Sequence, residues 1–252
     1  MKIIMVANQK GGVGKTTTAS ALGLGLKKKG FRVLLVDTDP QGNLTASLGI
    51  NPDSAKGLSE LLYDDAGISE CISSTFAGDL IPCSIMLADA DRRLTQPYAY
   101  SLLGDKLQTV SGNYDFCIID APPSLGILSL NGFNAADYLI VPVNASAFSL
   151  QGLSSLFEIV SVVKDKGKHD IRILGILLTR YNGKTNLSKE VLSVLEATAA
   201  EAGTKIFDAK IRQGIAVEMA QAKRTDLYEF RNGSKPADDY RKLTEEVLGL
   251  IN

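Results

Sequence analysis

Short apolar runs alternate along the chain with longer segments that mix apolar and polar residues. The run Arg32-Val33-Leu34-Leu35-Val36-Asp37 is typical of a strand that a parallel sheet buries on both faces. Strands that alternate with helices throughout predict an α/β fold, with a single doubly wound, mainly parallel sheet flanked by helices. We predict strands at 2–7, 32–37, 80–82, 116–120, 138–143, 171–178 and 204–207, and helices at 16–29, 58–63, 98–110, 150–166, 187–200, 215–222 and 237–250. No linker rich in proline, glycine or serine divides the chain, so we expect one domain over residues 1–252.

The first predicted strand leads into a glycine-rich turn and then into a helix. The turn reads Gln9-Lys10-Gly11-Gly12-Val13-Gly14-Lys15-Thr16-Thr17. Glycines leave backbone N–H groups free to converge on a phosphate, and the helix directs its positive dipole end to the same point. Lys15 can reach the phosphates, and the Thr16 hydroxyl can bind Mg²⁺. The turn therefore predicts a nucleotide-phosphate site formed by Gly11, Gly12, Val13, Gly14, Lys15, Thr16 and Thr17.

A second lysine makes this turn unusual. The common phosphate-binding pattern has glycine at position 9, whereas this chain has Gln9 followed by Lys10. Two ammonium groups in one small loop repel each other unless a strongly anionic group lies between them. A solvated surface position for Lys10 is the alternative.

Aspartates end two of the predicted buried strands. Asp120 ends the run 116–120, where its carboxylate can hold Mg²⁺ directly or through water. A pair of aspartates, Asp37 and Asp39, lies at the end of the run 32–37. Each would raise the pKa of the other unless a cation intervened. The alternatives are that Asp120 caps the following helix and that Asp37 and Asp39 belong to an Asp-Pro turn without a catalytic role.

Composition narrows the possible mechanisms and partners. The net charge of −1 argues against a uniformly basic nucleic-acid binder but allows a local basic patch. The three cysteines contain no C-x-x-C pair, so we expect buried, reduced thiols. His169 is the only histidine and lies in a polar linker, so the mechanism must work without imidazole. No signal peptide precedes the first strand and no apolar run is long enough for a membrane span, so we expect a cytoplasmic protein.

Three motifs together resemble those of the ParA/MinD family of P-loop ATPases, which has a deviant Walker A loop. They are the turn containing Lys10, the segment Asp37-Thr38-Asp39-Pro40-Gln41-Gly42-Asn43 and the segment Asp120-Ala121-Pro122-Pro123-Ser124. The aspartate-rich turn is similar to that of the ParA/Soj branch. The resemblance runs from about residue 2 to residue 250 and implies an ATPase that uses ATP and Mg²⁺.

The resemblance also implies roles for individual residues. Lys10 would reach across a nucleotide-sandwich homodimer to the phosphates of the partner subunit, and it would act with Lys15 in catalysis. Asp39 would position the attacking water, while Thr16, Asp37 and Asp120 would belong to the Mg²⁺ site. Adenine contacts would fall in the segments 178–182 and 210–212, which include Arg180 and Arg212. The family usually has proline where this chain has Ile211.

The branch of the family decides the expected partners. ParA-like proteins bind non-specific DNA as ATP dimers and are stimulated by a ParB-type partner, whereas MinD-like proteins bind membrane through a C-terminal amphipathic helix. Leu243, Val247, Leu250 and Ile251 share one face of the predicted last helix, but lysine and arginine are too few for a membrane-surface helix. We therefore expect this helix to pack on the sheet, and we expect a nucleoid-associated partition ATPase rather than a membrane-bound one.

Candidate DNA contacts are basic residues of the last third of the chain. By resemblance Lys184 fits a DNA-contacting position, whereas a second such position holds Ile215. A MinD-like membrane switch and an ATP-dependent metal-cluster carrier or reductase remain as alternatives, although the latter usually needs paired cysteines. The six candidates are Lys184, Lys189, Lys210, Lys223, Arg224 and Arg231.

Overall fold

One mainly parallel sheet forms the centre of the computed structural model, which describes residues 1–53, 55–144, 152–166, 170–182, 186–230 and 232–251, with the backbone alone at 166 and 186–191. In the described residues the sheet has seven strands, in the spatial order β3-β4-β2-β5-β1-β6-β7. The strands are β1 (Lys2–Val6), β2 (Val33–Asp37), β3 (Ser73–Thr75), β4 (Gly78–Ile81), β5 (Phe116–Asp120), β6 (Tyr138–Asn144) and β7 (Arg172–Thr179). Every neighbouring pair is parallel except β3 and β4, which confirms the predicted fold class.

Helices connect the strands and cover both faces of the sheet. They are α1 (Lys15–Lys28), α2 (Asn43–Ser47), α3 (Leu58–Tyr63), α4 (Ala90–Arg93), α5 (Leu102–Gln108), α6 (Ile127–Ala135), α7 (Leu153–Lys166), α8 (Asn186–Glu201), α9 (Ile215–Ala222), α10 (Leu227–Phe230) and α11 (Lys235–Ile251). Two 3₁₀ turns lie at Ile68–Cys71 and Ile85–Asp89.

Two features of the predicted secondary structure differ from the structure. The predicted strand at 204–207 is wrong, because only Ile206 forms an isolated parallel bridge, to Ile176 of β7. Several elements were not predicted, namely α2, α4, α6, α10 and β3. Most of these are very short, and α6 is buried on most of its surface, so its sequence lacks the alternation of polar and apolar residues that marks a surface helix.

The core has two layers, one on each face of the sheet. Adjacent residues of the central strands point to opposite faces, so Ile118 and Ile119 enter different layers. All five residues of β2 and of β5 are buried, as expected for strands covered by helices on both sides. Sequence patterns of this kind therefore fix which strands occupy the middle of the sheet.

The C-terminal helix packs inside this architecture. Leu243, Val247 and Ile251 are buried and belong to the same core layer as Leu22 and Leu26 of α1. The apolar face of α11 is thus covered by protein, as the sequence predicted. Among the described residues, no helix is both long enough and apolar enough to cross a membrane.

A close approach of α1 to α11 gives a test of this packing. A Cβ atom added at Gly25 would overlap the Thr244 side chain. We expect Gly25→Ala to lower the free energy of unfolding by about 1–3 kcal/mol, although alanine is the better helix former. Chemical denaturation would measure the change.

A matched control is Gly249→Ala in α11, where an added Cβ meets no atom within 4 Å. Removal of the overlapping atoms with Thr244→Ala should restore part of the loss in the Gly25→Ala background. A Gly25→Ala protein as stable as the Gly249→Ala protein would contradict this packing.

Candidate active site

A cleft of about 720 Å³ opens at the carboxyl ends of the central strands. Ligands of doubly wound α/β proteins bind at this edge of the sheet. The cleft collects the predicted phosphate-loop residues with Asp39, Arg180 and Arg212. Lining residues from the phosphate loop are Gly11, Gly12, Val13, Gly14, Lys15, Thr16 and Thr17.

The phosphate loop between β1 and α1 depends on glycine at two positions. Gly12 and Gly14 have φ values of 71° and 89°, which side-chain-bearing residues rarely adopt. Gly14 is also the N-cap of α1, and no side chain caps the helix there. The N–H groups of the first turn are consequently available to an anion in the cleft.

Hydrogen bonds tie the loop to the neighbouring strands. The Thr179 hydroxyl at the end of β7 donates to the Val13 carbonyl oxygen over 2.9 Å. Buried Asn8 donates from Nδ2 to the Pro142 carbonyl in β6 over 2.7 Å, and its Oδ1 accepts from the Lys10 backbone N–H over 2.9 Å. The backbone that carries both lysines is therefore fixed relative to the sheet.

Lys15 lies at the floor of the cleft, with only 8% of its surface exposed. Its Nζ donates to the Lys10 carbonyl oxygen over 3.2 Å. Burial lowers the pKa of Lys15, while the nearby carboxylates of Asp120 and Asp39 raise it. An anionic phosphate in the cleft would favour the charged ammonium further.

Lys10 is half-buried beside the cleft rather than in its lining. Its backbone is held at both the N–H and the carbonyl group by Asn8 and Lys15. The predicted contact with the phosphates of a partner subunit involves a second chain and stays a prediction.

Asp120 at the end of β5 has no exposed surface. Neither of its carboxylate oxygens accepts a hydrogen bond of ordinary geometry from a described residue. Burial raises the pKa of Asp120 well above its usual value, the neighbouring Asp37 adds to this shift, and the nearby Thr16 hydroxyl and Lys15 oppose it. A buried carboxylate without a hydrogen-bond donor, next to a hydroxyl, fits an oxygen-preferring cation such as Mg²⁺.

Asp37 at the end of β2 differs from Asp120, although it is equally buried. Its Oδ2 accepts from the Thr45 backbone N–H over 2.8 Å and from the Thr45 hydroxyl over 2.7 Å, and its Oδ1 accepts from the Asp39 N–H over 3.1 Å. Burial raises the pKa of Asp37 to about 6 despite these donors. Asp37 holds together the turn that carries Asp39, and its predicted place in the Mg²⁺ site stays a prediction.

Asp39 itself reaches the cleft, with 9% of its surface exposed. Its Oδ1 accepts from the Gln41 N–H over 3.0 Å. The same carboxylate thus stabilises an Asp-Pro turn and faces the cleft, and its predicted catalytic role stays a prediction.

Few other metal ligands surround these carboxylates. Within the described part of the chain, no three His, Cys, Asp or Glu side chains form a cluster suited to a metal ion. Mg²⁺ in nucleotide sites uses one or two carboxylates together with substrate phosphates and water, so a sparse protein set suits it. The cysteines Cys71, Cys83 and Cys117 are buried and free, as predicted.

The two segments predicted to contact adenine also line the cleft, through Thr179, Arg180, Ile211 and Arg212. Tyr181 and Arg212 form a parallel bridge, and the Tyr181 N–H donates to the Ile211 carbonyl over 2.9 Å. The Arg212 guanidinium, however, is paired with buried Asp239, with an Nη2–Oδ1 distance of 2.7 Å and an Nε–Oδ2 distance of 2.9 Å. Asp239 therefore neutralises Arg212, and its Oδ2 also accepts from the Arg212 backbone N–H over 2.9 Å.

Further residues line the cleft that were not predicted as site residues. Gln41 and Asn43 follow Asp39, and α9 contributes one side of the cleft. Nothing in the short apolar pattern of α9 separates a cleft wall from an ordinary packing helix, so the sequence held no signal for it. The α9 residues are Val217, Glu218, Gln221 and Ala222.

The predicted DNA contacts fall in different places. Exposed Lys223 lies 5.0 Å from the Phe230 ring centre, and half-buried Lys210 lies 5.8 Å from that of Tyr181. Arg224 lines the cleft, so a substitution there would affect both candidate functions. Lys184 and Arg231 lie outside the described residues, and only the backbone of Lys189 is described.

Comparison with known proteins places the chain among nucleotide-dependent enzymes. A family model described as an AAA domain matches residues 1–173. The sporulation initiation inhibitor protein Soj of Bacillus subtilis is 38% identical over 250 residues, which cover 98% of each chain. The chromosome partitioning protein ParA of Caulobacter vibrioides is 35% identical over 256 residues, which cover 98% of this chain and 94% of that protein.

A solved structure of a nucleotide-binding protein is also similar to this chain. Cobyrinic acid a,c-diamide synthase from Mycobacterium smegmatis, with bound ADP and magnesium, superposes with a TM-score of 0.85 at 35% identity. The match covers 98% of this chain and 94% of that one.

The buried carboxylate of Asp120 predicts a conflict between stability and metal binding. Its pKa is raised in the folded state, so it contributes stability that is fully present below the unfolded pKa of about 3.9 and is lost as pH rises. We expect Asp120→Asn to stabilise the nucleotide-free protein in EDTA by about 1–3 kcal/mol, with a larger gain at pH 8 than at pH 5. Thermal unfolding at the two pH values would measure this gain.

The same variant should lose the rise in Tm that Mg²⁺ and ATP give the unmodified protein. Asp105→Asn, at an exposed position in α5, is the control and should change neither quantity. An Asp120→Asn protein that keeps the full Mg²⁺-dependent shift would contradict the assignment.

Proposed function

The chain belongs to the ParA/Soj branch of the ParA/MinD family of P-loop ATPases, and on that basis we propose that it acts on DNA as an ATP-bound homodimer. It is a partition ATPase, which hydrolyses ATP. In the proposed cycle the ATP dimer binds non-specific DNA, and a ParB-type partner stimulates hydrolysis and release. The observation that carries the proposal is a cleft lined by a glycine loop and Lys15, next to the fully buried Asp120, whose carboxylate oxygens accept no hydrogen bond of ordinary geometry from a described residue.

The phosphate loop would hold the triphosphate. The first-turn N–H groups of α1 and the Lys15 ammonium supply positive charge where the phosphates lie. Gly12 and Gly14 let the backbone approach the phosphates closely. With the triphosphate on this loop, the base would lie against the other lining segments, which contain Arg180 and Ile211.

The residues present fit a magnesium ion. Thr16 and Asp120 would hold it, with Asp37 in the surrounding shell. The related solved structure contains ADP and magnesium, which supports a magnesium-dependent nucleotide site in this chain. When bound, Mg²⁺ neutralises charge on the phosphate oxygens. The protein contributes a buried, preformed place for it.

Asp39 would position the water that attacks the γ-phosphorus. The oxygen of that water forms the new bond as the bond to the leaving ADP oxygen breaks, and the water proton leaves towards the Asp39 side of the cleft. Asp39 faces the cleft and is held by the Asp37 carboxylate and by the Gln41 N–H. We expect the intrinsic hydrolysis to be slow and a partner to accelerate it. The lifetime of the ATP-bound state would then act as a timer.

Lys10 would link two protomers through their phosphates. Hydrogen bonds to Asn8 and Lys15 fix its backbone at the margin of the cleft. This position supports a contact between the Lys10 side chain and the phosphates bound by the partner subunit. Dimerisation would then require ATP, and DNA binding would require dimerisation, because two protomers double the basic surface. Lys223 is an exposed candidate for that surface. Such a protein would work in the cytoplasm on the nucleoid.

A second function is favoured by one comparison alone. The related structure is that of a diamide synthase, so ATP-dependent amide formation is the other candidate. That activity would make ATP cleavage depend on a carboxylic acid and a nitrogen donor. The membrane alternative is less favoured, because the apolar face of α11 is buried against α1.

A DNA-binding assay with ATP, ADP or no nucleotide tests the proposal, with Lys10→Ala as the informative variant. We expect the unmodified protein to bind sheared duplex DNA only with ATP, and to lose this affinity as salt rises. Lys10→Ala should bind ATP but neither dimerise nor bind DNA. Sedimentation with ATP would measure the dimer.

Lys242→Ala, at an exposed position of α11, is the matched control and should behave as the unmodified protein. Normal ATP-dependent dimerisation of Lys10→Ala would refute the cross-subunit role. Hydrolysis that occurs only with an acid and an amide donor would favour the synthase instead.

Asp39→Ala separates dimerisation from hydrolysis. The phosphate loop and Asp120 remain intact in this variant, so we expect ATP-dependent dimers and DNA binding to persist. Turnover should fall at least about a hundredfold, because the attacking water loses its positioning group. Phosphate release would measure the turnover.

Asp105→Ala on α5 controls for the loss of an exposed carboxylate and should hydrolyse ATP normally. Turnover by Asp39→Ala at the unmodified rate would remove Asp39 from the mechanism.

A further inference from the structure

Thr45, in α2, is completely buried and uses its polar groups on two neighbours. Its backbone N–H and its hydroxyl both donate to Oδ2 of Asp37, over 2.8 and 2.7 Å. The hydroxyl oxygen also accepts from the Cys83 backbone N–H over 2.9 Å. One hydroxyl therefore joins the Asp37 carboxylate to the chain that follows β4.

A second contact supports the same junction. Gly42 has a φ of 61°, and a Cβ atom added there would lie 3.0 Å from the Cys83 carbonyl oxygen. The turn from Asp37 to Thr45 thus rests against the backbone of Cys83 at two separate points. A substitution at Gly42 or Thr45 would therefore disturb the contact of the turn with Cys83.

The other side of the Asp37 carboxylate fixes Asp39. Oδ1 of Asp37 accepts from the Asp39 N–H over 3.1 Å, and the Gly42 N–H donates to the Asp39 carbonyl over 2.8 Å. The position of Asp39 therefore depends on Asp37, and the position of Asp37 depends on Thr45. Thr45 does not line the cleft, whereas its neighbours Asn43 and Ala46 do.

We propose that Thr45 is a positioning residue for ATP hydrolysis, because its hydroxyl locks the turn that presents Asp39 to the cleft. The inference rests on the proposed role of Asp39. Nucleotide binding belongs to the phosphate loop between β1 and α1, a separate segment. Loss of the hydroxyl should consequently lower kcat and leave nucleotide affinity unchanged.

Thr45→Val, which keeps the shape and removes the hydroxyl, tests the inference on the full chain. We expect kcat for ATP to fall about tenfold to a hundredfold, as for other small displacements of catalytic groups. The Kd for a fluorescent ATP analogue and the KM should stay within about threefold of the original values. Thr45→Ser keeps the hydroxyl, so it should restore kcat to within about threefold.

Thr244→Val is the matched control, since Thr244 is also buried and its hydroxyl donates to a backbone carbonyl, that of Tyr240 in the same helix. Both valine variants should lose thermal stability, but only Thr45→Val should lose kcat. Gly42→Ala disturbs the second contact with Cys83 and should reproduce the kcat defect. It decides the question should Thr45→Val fail to fold.

The outcomes separate this inference from the proposed function. Unchanged kcat in folded Thr45→Val, or in Gly42→Ala when Thr45→Val does not fold, overturns the positioning role. A defect confined to KM and Kd overturns it as well. Normal turnover by Asp39→Ala would instead refute the proposed role of Asp39, whatever Thr45→Val does.

Discussion

Two buried carboxylates lie side by side at the centre of the sheet, and the rest of the site depends on how each is compensated. Asp37 and Asp120 are direct partners in the register of the parallel strands β2 and β5. Both are fully buried, and the charge of Asp37 opposes ionisation of Asp120. Asp37 receives three hydrogen bonds from protein groups, whereas Asp120 receives none of ordinary geometry. The protein thus satisfies one carboxylate with two backbone N–H groups and the Thr45 hydroxyl, and it gives the other no donor of ordinary geometry from the described residues, an arrangement that suits a cation.

Asp37 and Asp120 are both aspartates, but their different hydrogen bonding gives them different effects on the structure and on stability. The hydrogen-bonded carboxylate of Asp37 organises a turn and so fixes the positions of its partners Thr45 and Asp39. The unsatisfied carboxylate reduces the stability of the empty protein, because burial without a donor is unfavourable. Sites of this kind trade stability for function, and the cost is recovered when a ligand binds the folded state.

Sequence patterns predicted the centre of the molecule well and its connections poorly. Apolar runs located β2 and β5, and because parallel strands share one orientation, their terminal aspartates had to meet at one edge. Glycine spacing located the phosphate loop in the same way. Side-chain hydrogen bonds carry no periodic signal, so the hydrogen bonds of Thr45 and the pairing of Arg212 with Asp239 became visible only in the structure. The strand predicted at 204–207 is wrong for a different reason, since a short segment at the margin of a sheet can pair through a single residue, as Ile206 does.

Hydrogen bonds connect the turn that carries Asp39 to the strand that ends at Asp120. The Thr38 N–H and hydroxyl both donate to the backbone carbonyl of Asp120, over 3.0 and 2.7 Å. The turn that carries Asp39 is therefore attached to the backbone of the residue whose carboxylate accepts no hydrogen bond of ordinary geometry from a described residue. A bound metal-nucleotide would favour the ionised form of Asp120 and the charged form of Lys15 together, because each then faces opposite charge.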